Sequence, residues 1–186
     1  MNRIPVAVAV ALGAIILAGC SPQSGPSPSP STSVDTSTTG GSVVPIGSQM
    51  VVESSGTSWG VTVTGVIEVP QNELYIQEGM RCFAVLGEVT VLDLPDGQEI
   101  SDWLDMPFVS VIVDGERADE LGICDTYTLS DAGWENYLDA ALAEGESMMF
   151  FTDVATLGLG DPTAVVFGES GTSTPIGPLL DAIPAP

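Results

Sequence analysis

Two residue types are missing from this sequence, which contains no histidine and no lysine. Histidine is the commonest general base and a frequent zinc ligand, and lysine forms Schiff bases and contacts phosphates in P-loops. Their absence removes the usual bases for a serine or cysteine nucleophile, Schiff-base chemistry, the P-loop and most zinc sites. A glycosidase-like pair of carboxylates remains open, because it needs only Asp and Glu. Nothing singles out one pair among the 25 acidic residues, so we predict no catalytic residue and favour a protein that is not an enzyme.

Positive charge is scarce as well, since three arginines stand against the 25 acids and the formal net charge is −22. A surface this negative repels phosphate backbones, which excludes nucleic acid as a direct partner. It also repels anionic lipid headgroups.

The chain lacks an apolar run long enough for a permanent membrane span. The apolar segment 4–18 has about 15 residues, whereas a helix needs roughly 20 to cross a hydrocarbon core. It follows a single cation at Arg3, as the apolar part of a secretory signal follows its positive start. Residues 1–19 are therefore predicted to be an export signal.

The signal ends in Leu17-Ala18-Gly19-Cys20, which resembles the lipobox of bacterial lipoproteins. The resemblance implies cleavage after Gly19, a diacylglycerol on the Cys20 thiol and often an acyl chain such as palmitate on the new amine. Two or three acyl chains hold a protein at a membrane stably. The alternative is an incidental cysteine in an uncleaved signal. The lipobox interpretation predicts an anchor on the extracytoplasmic face of the cell membrane.

The segment after Cys20 is rich in Ser, Thr, Pro and Gly as far as residue 48. Such a composition buries too little apolar area to offset its ordering entropy, so residues 20–48 are predicted to form a lipidated, disordered tether. Its reach of roughly 30 Å exceeds the Debye length of about 8 Å. The mature chain, without the signal, has a formal charge of 2 − 25 = −23, and the tether therefore holds its acidic domain outside the field of the membrane.

Residues 49–170 have the length of one domain. Two-residue alternation places Val61, Val63 and Ile67 on one face of a strand at 59–69, and Phe83, Val85, Val89 and Val91 on one face of a strand at 81–94. The dipeptide Asp114-Gly115 indicates a hairpin turn. The other predicted strands lie at 50–54, 108–113, 123–129, 147–154 and 163–169.

A change of period predicts one helix at 130–145, with a cap at Ser130 and Trp134, Leu138 and Leu142 on its core-facing side. Seven short strands and one small helix favour an all-β, two-sheet antiparallel sandwich over a parallel sheet. Residues 171–186 are predicted to be a tail that runs over the surface or frays.

Several of these segments, "WGVTVTGVIEV", "FAVLGEVTV", "VSVIVDGERAD" and "GESMMFFTDV", together with the lipobox and the tether, resemble immunoglobulin-like domains of Gram-positive, especially actinobacterial, surface lipoproteins. The resemblance covers most of residues 49–169 and implies an immunoglobulin-like sandwich. Its motifs are hydrophobic patterns without a catalytic signature, so it assigns no functional residue.

Three cysteines are an odd number for an exported protein, and assigning Cys20 to lipid leaves an even number. Cys82 and Cys124 then form a disulfide, which an oxidising compartment permits. The loop of 43 residues that it closes, counted inclusively, corresponds to about 4 kcal/mol of stabilisation. Two separate buried thiols are the alternative.

Acidic residues recur every three positions or so between the second long strand and the next. Pro95 and Gly97 oppose a helix there, so the segment is predicted to be a loop. Clustered carboxylates on a bent backbone suit Ca²⁺, although the spacing does not match an EF-hand. We favour a solvated loop without a cofactor and assign no metal ligand, with the calcium alternative resting on Asp93, Asp96, Glu99, Asp102 and Asp105.

Trp103 and Leu104 interrupt these acids. They are either an exposed anchor for a partner or a lid folded back on the core, and we favour the lid. The resulting expectation is a membrane-anchored lipoprotein whose acidic sandwich binds an unknown envelope protein or ligand without catalysis; a carboxylate-dependent, glycan-processing enzyme is the alternative.

Overall fold

The structure is a computed structural model that describes residues 42–118, 124–139, 141–158, 160–168 and 171–186. The predicted signal, Cys20 and the tether up to residue 41 lie outside these residues. The described strands are β1 (Met50–Ser54), β2 (Thr57–Val69), β3 (Met80–Asp93), β4 (Val109–Val113), β5 (Glu116–Ala118), β6 (Glu135–Asn136), β7 (Ser147–Leu157), β8 (Pro162–Phe167) and β9 (Thr172–Pro175). The helical elements are α1 (Tyr127–Asp131) and two 3₁₀ helices, Trp103–Asp105 and Tyr137–Asp139.

The strands form two sheets, one in the order β1-β2-β3-β7-β6 and one in the order β5-β4-β8-β9. All neighbouring strands are antiparallel except β6 and β7, which pair in parallel through two residues. The predicted all-β, two-sheet sandwich is confirmed. With β1 left aside, β2-β3-β7 and β5-β4-β8-β9 have the order of strands A-B-E and C′-C-F-G of an immunoglobulin-like sandwich, whereas β6, in the place of strand D, runs parallel to its neighbour.

The main core lies between the two sheets. The predicted inner face of β3 is confirmed, because Phe83, Val85, Val89 and Val91 are all fully buried there. The Asp114-Gly115 turn is also found, with positive φ at both residues, and it joins β4 to β5. The strand that returns after this turn is therefore β5, and not the predicted strand at 123–129.

The five-stranded sheet, which contains β2, β3 and β7, is also buried on its outer face. A shift of register between Val63 and Gly65 gives β2 one extra residue relative to β3. Because side chains alternate with a period of two, this bulge moves Val66 to the inner face and Ile67 to the outer face. The prediction that Val61, Val63 and Ile67 share one face was wrong for Ile67 for this reason.

The covering of this outer face comes partly from the segment after Cys124. The predicted helix at 130–145 was wrong, because α1 begins after Thr126 and the chain turns at Gly133, whose φ is +94°. Trp134 and Leu129 nevertheless pack on the sheet, in a second apolar cluster. Leu138 lies in the second 3₁₀ helix and is exposed.

The C-terminal segment completes both layers. Residues 172–175 form β9, a strand that the sequence did not predict. Leu180 donates its N–H to Val66 O and, with Ile183, packs on the outer cluster. A Cβ at position 65 would lie 2.6 Å from Cδ1 of Leu180, so Gly65 permits this close approach.

No helix among the described residues is long and apolar enough to cross a membrane.

Candidate functional site

The structure brings the two predicted disulfide partners together. Cys82 and Cys124 lie at bonding distance, with their Cα atoms 5.6 Å apart. The backbone around Cys124 is held as well, since its N–H donates to the buried Asp153 Oδ2 and the next N–H donates to Pro70 O. The pair therefore fastens the connection after β5 to the start of β3.

Arg81, beside Cys82, covers one end of the core. We call this end, where β2 finishes and β3 begins, the Arg81 end. The guanidinium lies 4.8 Å from the centre of the Phe83 ring and forms ion pairs with Glu68 (2.7 Å) and Asp161 (2.9 Å). The hydrogen bond from Arg81 lowers the pKa of the Glu68 carboxyl below its usual value.

The opposite end, where β3 finishes and β4 begins, is the Trp103 end. Its main feature is the connection 94–108, which is fixed by hydrogen bonds. Asp102 Oδ1 accepts the N–H of Leu104, and Asp105 Oδ2 accepts the N–H of Asp102 and a proton of Gln98 Nε2. The two acids thus form a capping box on the 3₁₀ helix.

The same connection is fastened to the body of the sandwich. The indole of the buried Trp59 donates to Asp105 O at 3.0 Å, and Ser54 Oγ donates to Met106 O at 3.4 Å. On its other side, Ser101 exchanges hydrogen bonds with Leu142. The loop therefore presents its remaining side chains in one defined arrangement.

The five candidate calcium ligands are spread along this loop. Asp102 and Asp105 meet in the capping box, while the other three are exposed at the end of β3 and in the following turns. Among the described residues, no group of three or more acidic, histidine or cysteine side chains is placed to hold a metal ion. The positions of Asp102 and Asp105 are explained by the loop's own hydrogen bonds.

An apolar pocket of about 280 Å³ lies at the Trp103 end. The connection 94–108 forms one wall, the second 3₁₀ helix forms another, and the start of β4 and the middle of β7 form the base. Its lining is apolar except for a threonine and the phenol of a tyrosine: Trp103, Leu104, Met106, Pro107, Phe108, Val109, Tyr137, Leu138 and Thr152.

Tyr137 belongs to the wall that the second 3₁₀ helix forms, and its side chain is held in place. Its ring is buried, lies 4.8 Å from that of Phe150, and its hydroxyl donates to Pro107 O at 3.1 Å. Burial raises the pKa of the phenol well above its usual value. The hydroxyl is therefore neutral at physiological pH and is used to join the two walls of the pocket.

The apolar side chains at the rim are exposed. Trp103 is 58% exposed, Leu104 63%, Phe108 45% and Leu138 41%. The interpretation of Trp103 and Leu104 as a lid folded onto the core was therefore wrong, because Met106 and Pro107 fill that position instead. The capping box turns the chain so that residues 103 and 104 point away from the core.

A second cavity, of about 240 Å³, adjoins the first. Trp103 and Leu138 line both cavities, and the second also contains the exposed Asp102 and Asp139.

The sequence did not identify Tyr137, Leu138 or Asp139 as site residues, because their contact with residues 103–109 joins segments about 30 positions apart. No local pattern signals such a contact.

Comparison of the chain with models of protein families, with curated proteins and with solved structures found no match.

Proposed function

We propose that this protein is a lipoprotein, anchored through Cys20 on the outer face of the cell membrane, whose sandwich is a non-enzymatic binding module. The observation that carries the binding part of the proposal is the apolar pocket at the Trp103 end. The anchor rests on the sequence at positions 17–20 alone.

The pocket supports binding because its apolar rim is exposed by a loop that is otherwise tightly held. Exposed apolar side chains gathered at one place are typical of sites that contact a partner. The volume of about 280 Å³ is near the lower limit for small-molecule pockets, and it suits one or two side chains of a partner better than a cofactor.

The pocket gives no support to the alternative of a glycan-processing enzyme. Such an enzyme needs two carboxylates facing a common space, one of them as the acid. The residues that line the apolar pocket include no acid, and of the two acids in the adjoining cavity, Asp102 and Asp139, the first caps the 3₁₀ helix.

The anchor is tested by Cys20→Ser. We expect the variant to be exported but to leave the detergent phase on phase partitioning, because the chain after residue 19 contains no other apolar segment of membrane-binding length. A variant that still partitions like the wild type contradicts the anchor.

The binding site is tested by capture from envelope extracts of the source cells. We expect the double variant Trp103→Ser, Leu138→Ser to lose the partner that the wild type retains. The matched control is Leu74→Ser, Ile76→Ser, which removes two apolar side chains that are even more exposed from the β2–β3 connection at the Arg81 end. Loss of the partner in the control alone would place the binding site there instead.

A further inference from the structure

We propose that the partner of the Trp103 end is a polypeptide segment that carries an apolar side chain next to an arginine or lysine. The apolar side chain enters the apolar pocket, and the cationic side chain enters the adjoining cavity between Asp102 and Asp139. This inference rests on the proposed binding function and adds the chemistry of the ligand.

The first support is the arrangement of the two cavities. They share Trp103 and Leu138 as a common wall, so a group in one cavity is a direct neighbour of a group in the other. One cavity is lined by apolar side chains, and the other adds two exposed carboxylates. A ligand that fills both can therefore place an apolar group in the first cavity and a charged group beside the carboxylates of the second.

Charge complementarity fixes the sign of the polar part. The chain has only two arginines after residue 41. Arg81 pairs with Glu68 and Asp161 at the other end, and Arg117 donates to Ser110 Oγ and Gly168 O on the four-stranded sheet. Within the described residues, neither carboxylate of the second cavity has an ion pair with the protein's own cations, so a cation of the partner meets no competitor there.

The exposed indole of Trp103 adds a further preference for a cation. Its ring separates the two cavities, and a guanidinium over the face of a tryptophan is attracted by the ring as well as by a neighbouring carboxylate. Arginine suits this position better than lysine, because its planar group stacks on an aromatic ring and forms two parallel hydrogen bonds to one carboxylate.

A polypeptide fits these observations better than a lipid surface. A bilayer with anionic headgroups is repelled by a body of charge −23, and the carboxylates beside Trp103 would approach those headgroups first. Each cavity has room for one or two side chains, and neighbouring residues of a peptide place two side chains side by side.

The test uses the whole mature chain, residues 20–186, with Cys20→Ser to remove only the lipid. It is applied to an array of ten-residue peptides in a Gly/Ser background. Their two central residues combine Leu, Ile, Phe or Ala with Arg, Lys, Gln or Glu. We expect retention on the peptides that combine an apolar residue with Arg or Lys, and at least tenfold weaker binding when Glu replaces the cation or Ala replaces the apolar residue.

Solution titration then locates the contact. Trp59 and Trp134 are buried whereas Trp103 is exposed, so a change of tryptophan fluorescence on addition of a tryptophan-free peptide reports on Trp103. Asp139→Asn should weaken the binding of the Phe-Arg peptide several-fold and leave the binding of the Phe-Gln peptide unchanged. The effect should diminish with added salt. Asp131→Asn, on α1, is the control of equal charge change.

The outcomes separate this inference from the proposed function. Equal binding of Arg and Glu peptides, or equal effects of Asp139→Asn and Asp131→Asn, overturns the cationic partner and leaves the apolar pocket as the site. If the Ala-Arg peptide binds as strongly as the Phe-Arg peptide, the binding is general charge attraction, and this result also overturns the inference. If no peptide binds while envelope capture still depends on Trp103 and Leu138, the inference is wrong and the binding function stands.

Discussion

At the Arg81 end the core is covered by a guanidinium, whereas at the Trp103 end it borders on exposed apolar side chains. The Arg81 end has two ion pairs, and the cavity next to it is lined by polar and charged groups such as Asp114, Glu116 and Arg117. The Trp103 end has a pocket with an apolar lining. The two ends of the same core are thus covered by side chains of different chemistry.

The difference lies in what covers the core, because the Arg81 end also has exposed apolar side chains, Leu74 and Ile76, in the connection beside the guanidinium. An arginine or an acid facing inward, as at the Arg81 end, would hide the apolar groups of residues 103–108 from water. The loop instead uses Asp102, Asp105 and Gln98 to hold the backbone, and it leaves the apolar side chains outside. Because its backbone is already held, this loop loses little backbone conformational entropy when a partner covers it.

The largest expected effect concerns the disulfide at the Arg81 end. Cys82→Ala with Cys124→Ala should lower the free energy of unfolding by about 4 kcal/mol, because the cross-link no longer restricts a loop with a sequence separation of 42. Denaturant unfolding measures this value. A loss below about 1 kcal/mol would mean that this connection is held by its other contacts alone.

Tyr137→Phe should cost about 1 kcal/mol at neutral pH, because Pro107 O loses its donor in a buried place. The pH dependence is more specific. The folded pKa of Tyr137 is raised by burial, so its contribution is complete below the unfolded pKa of about 10 and is lost as the pH rises beyond it. Between about pH 9 and about pH 11, thermal melts should show a steeper loss for the wild type than for Tyr137→Phe. Equal slopes contradict the role of a buried neutral phenol.

Arg81→Gln should lower stability by no more than about 1 kcal/mol, because both carboxylate partners are largely exposed and solvent screens the ion pairs. The folded pKa of Glu68 is lowered, so its contribution is present above the unfolded value and is lost as the pH falls through the folded one. The difference between the wild type and the variant should therefore shrink in acid. Arg117→Gln is the control of equal charge.

The smallest expected change in stability is at the pocket itself. Trp103→Ser should alter the free energy of unfolding by less than about 0.5 kcal/mol, because the side chain is mostly in water. A stable variant that loses its partner sharpens the contrast between the two ends. A loss of 2 kcal/mol or more, on the order of a core deletion, would return Trp103 to the role of a lid.

The main strands could be predicted because each has a continuous pattern of its own. The burial of the outer face of β3 could not be predicted, since Cys82, Ala84 and Leu86 are buried only by segments far away in the sequence. The face of Ile67 depended on one extra residue near Thr64, which alternation does not reveal. The apolar pocket depended on the contact between the connection 94–108 and the second 3₁₀ helix. The sequence identified Trp103 as a residue of interest, but it did not identify the orientation of its side chain.

The covering of the five-stranded sheet by the C-terminal segment has a consequence for biosynthesis. Leu180 and Ile183 reach the outer face of β2, β3 and β7 only after the strands that they cover have been made, and β9 follows the strand with which it pairs. A chain growing from its N-terminus therefore carries a partly uncovered apolar sheet face until residue 183 has emerged, and in that interval it is prone to aggregate. Fragments that stop before residue 172 should accordingly be degraded or bound by chaperones rather than accumulate as a smaller folded domain.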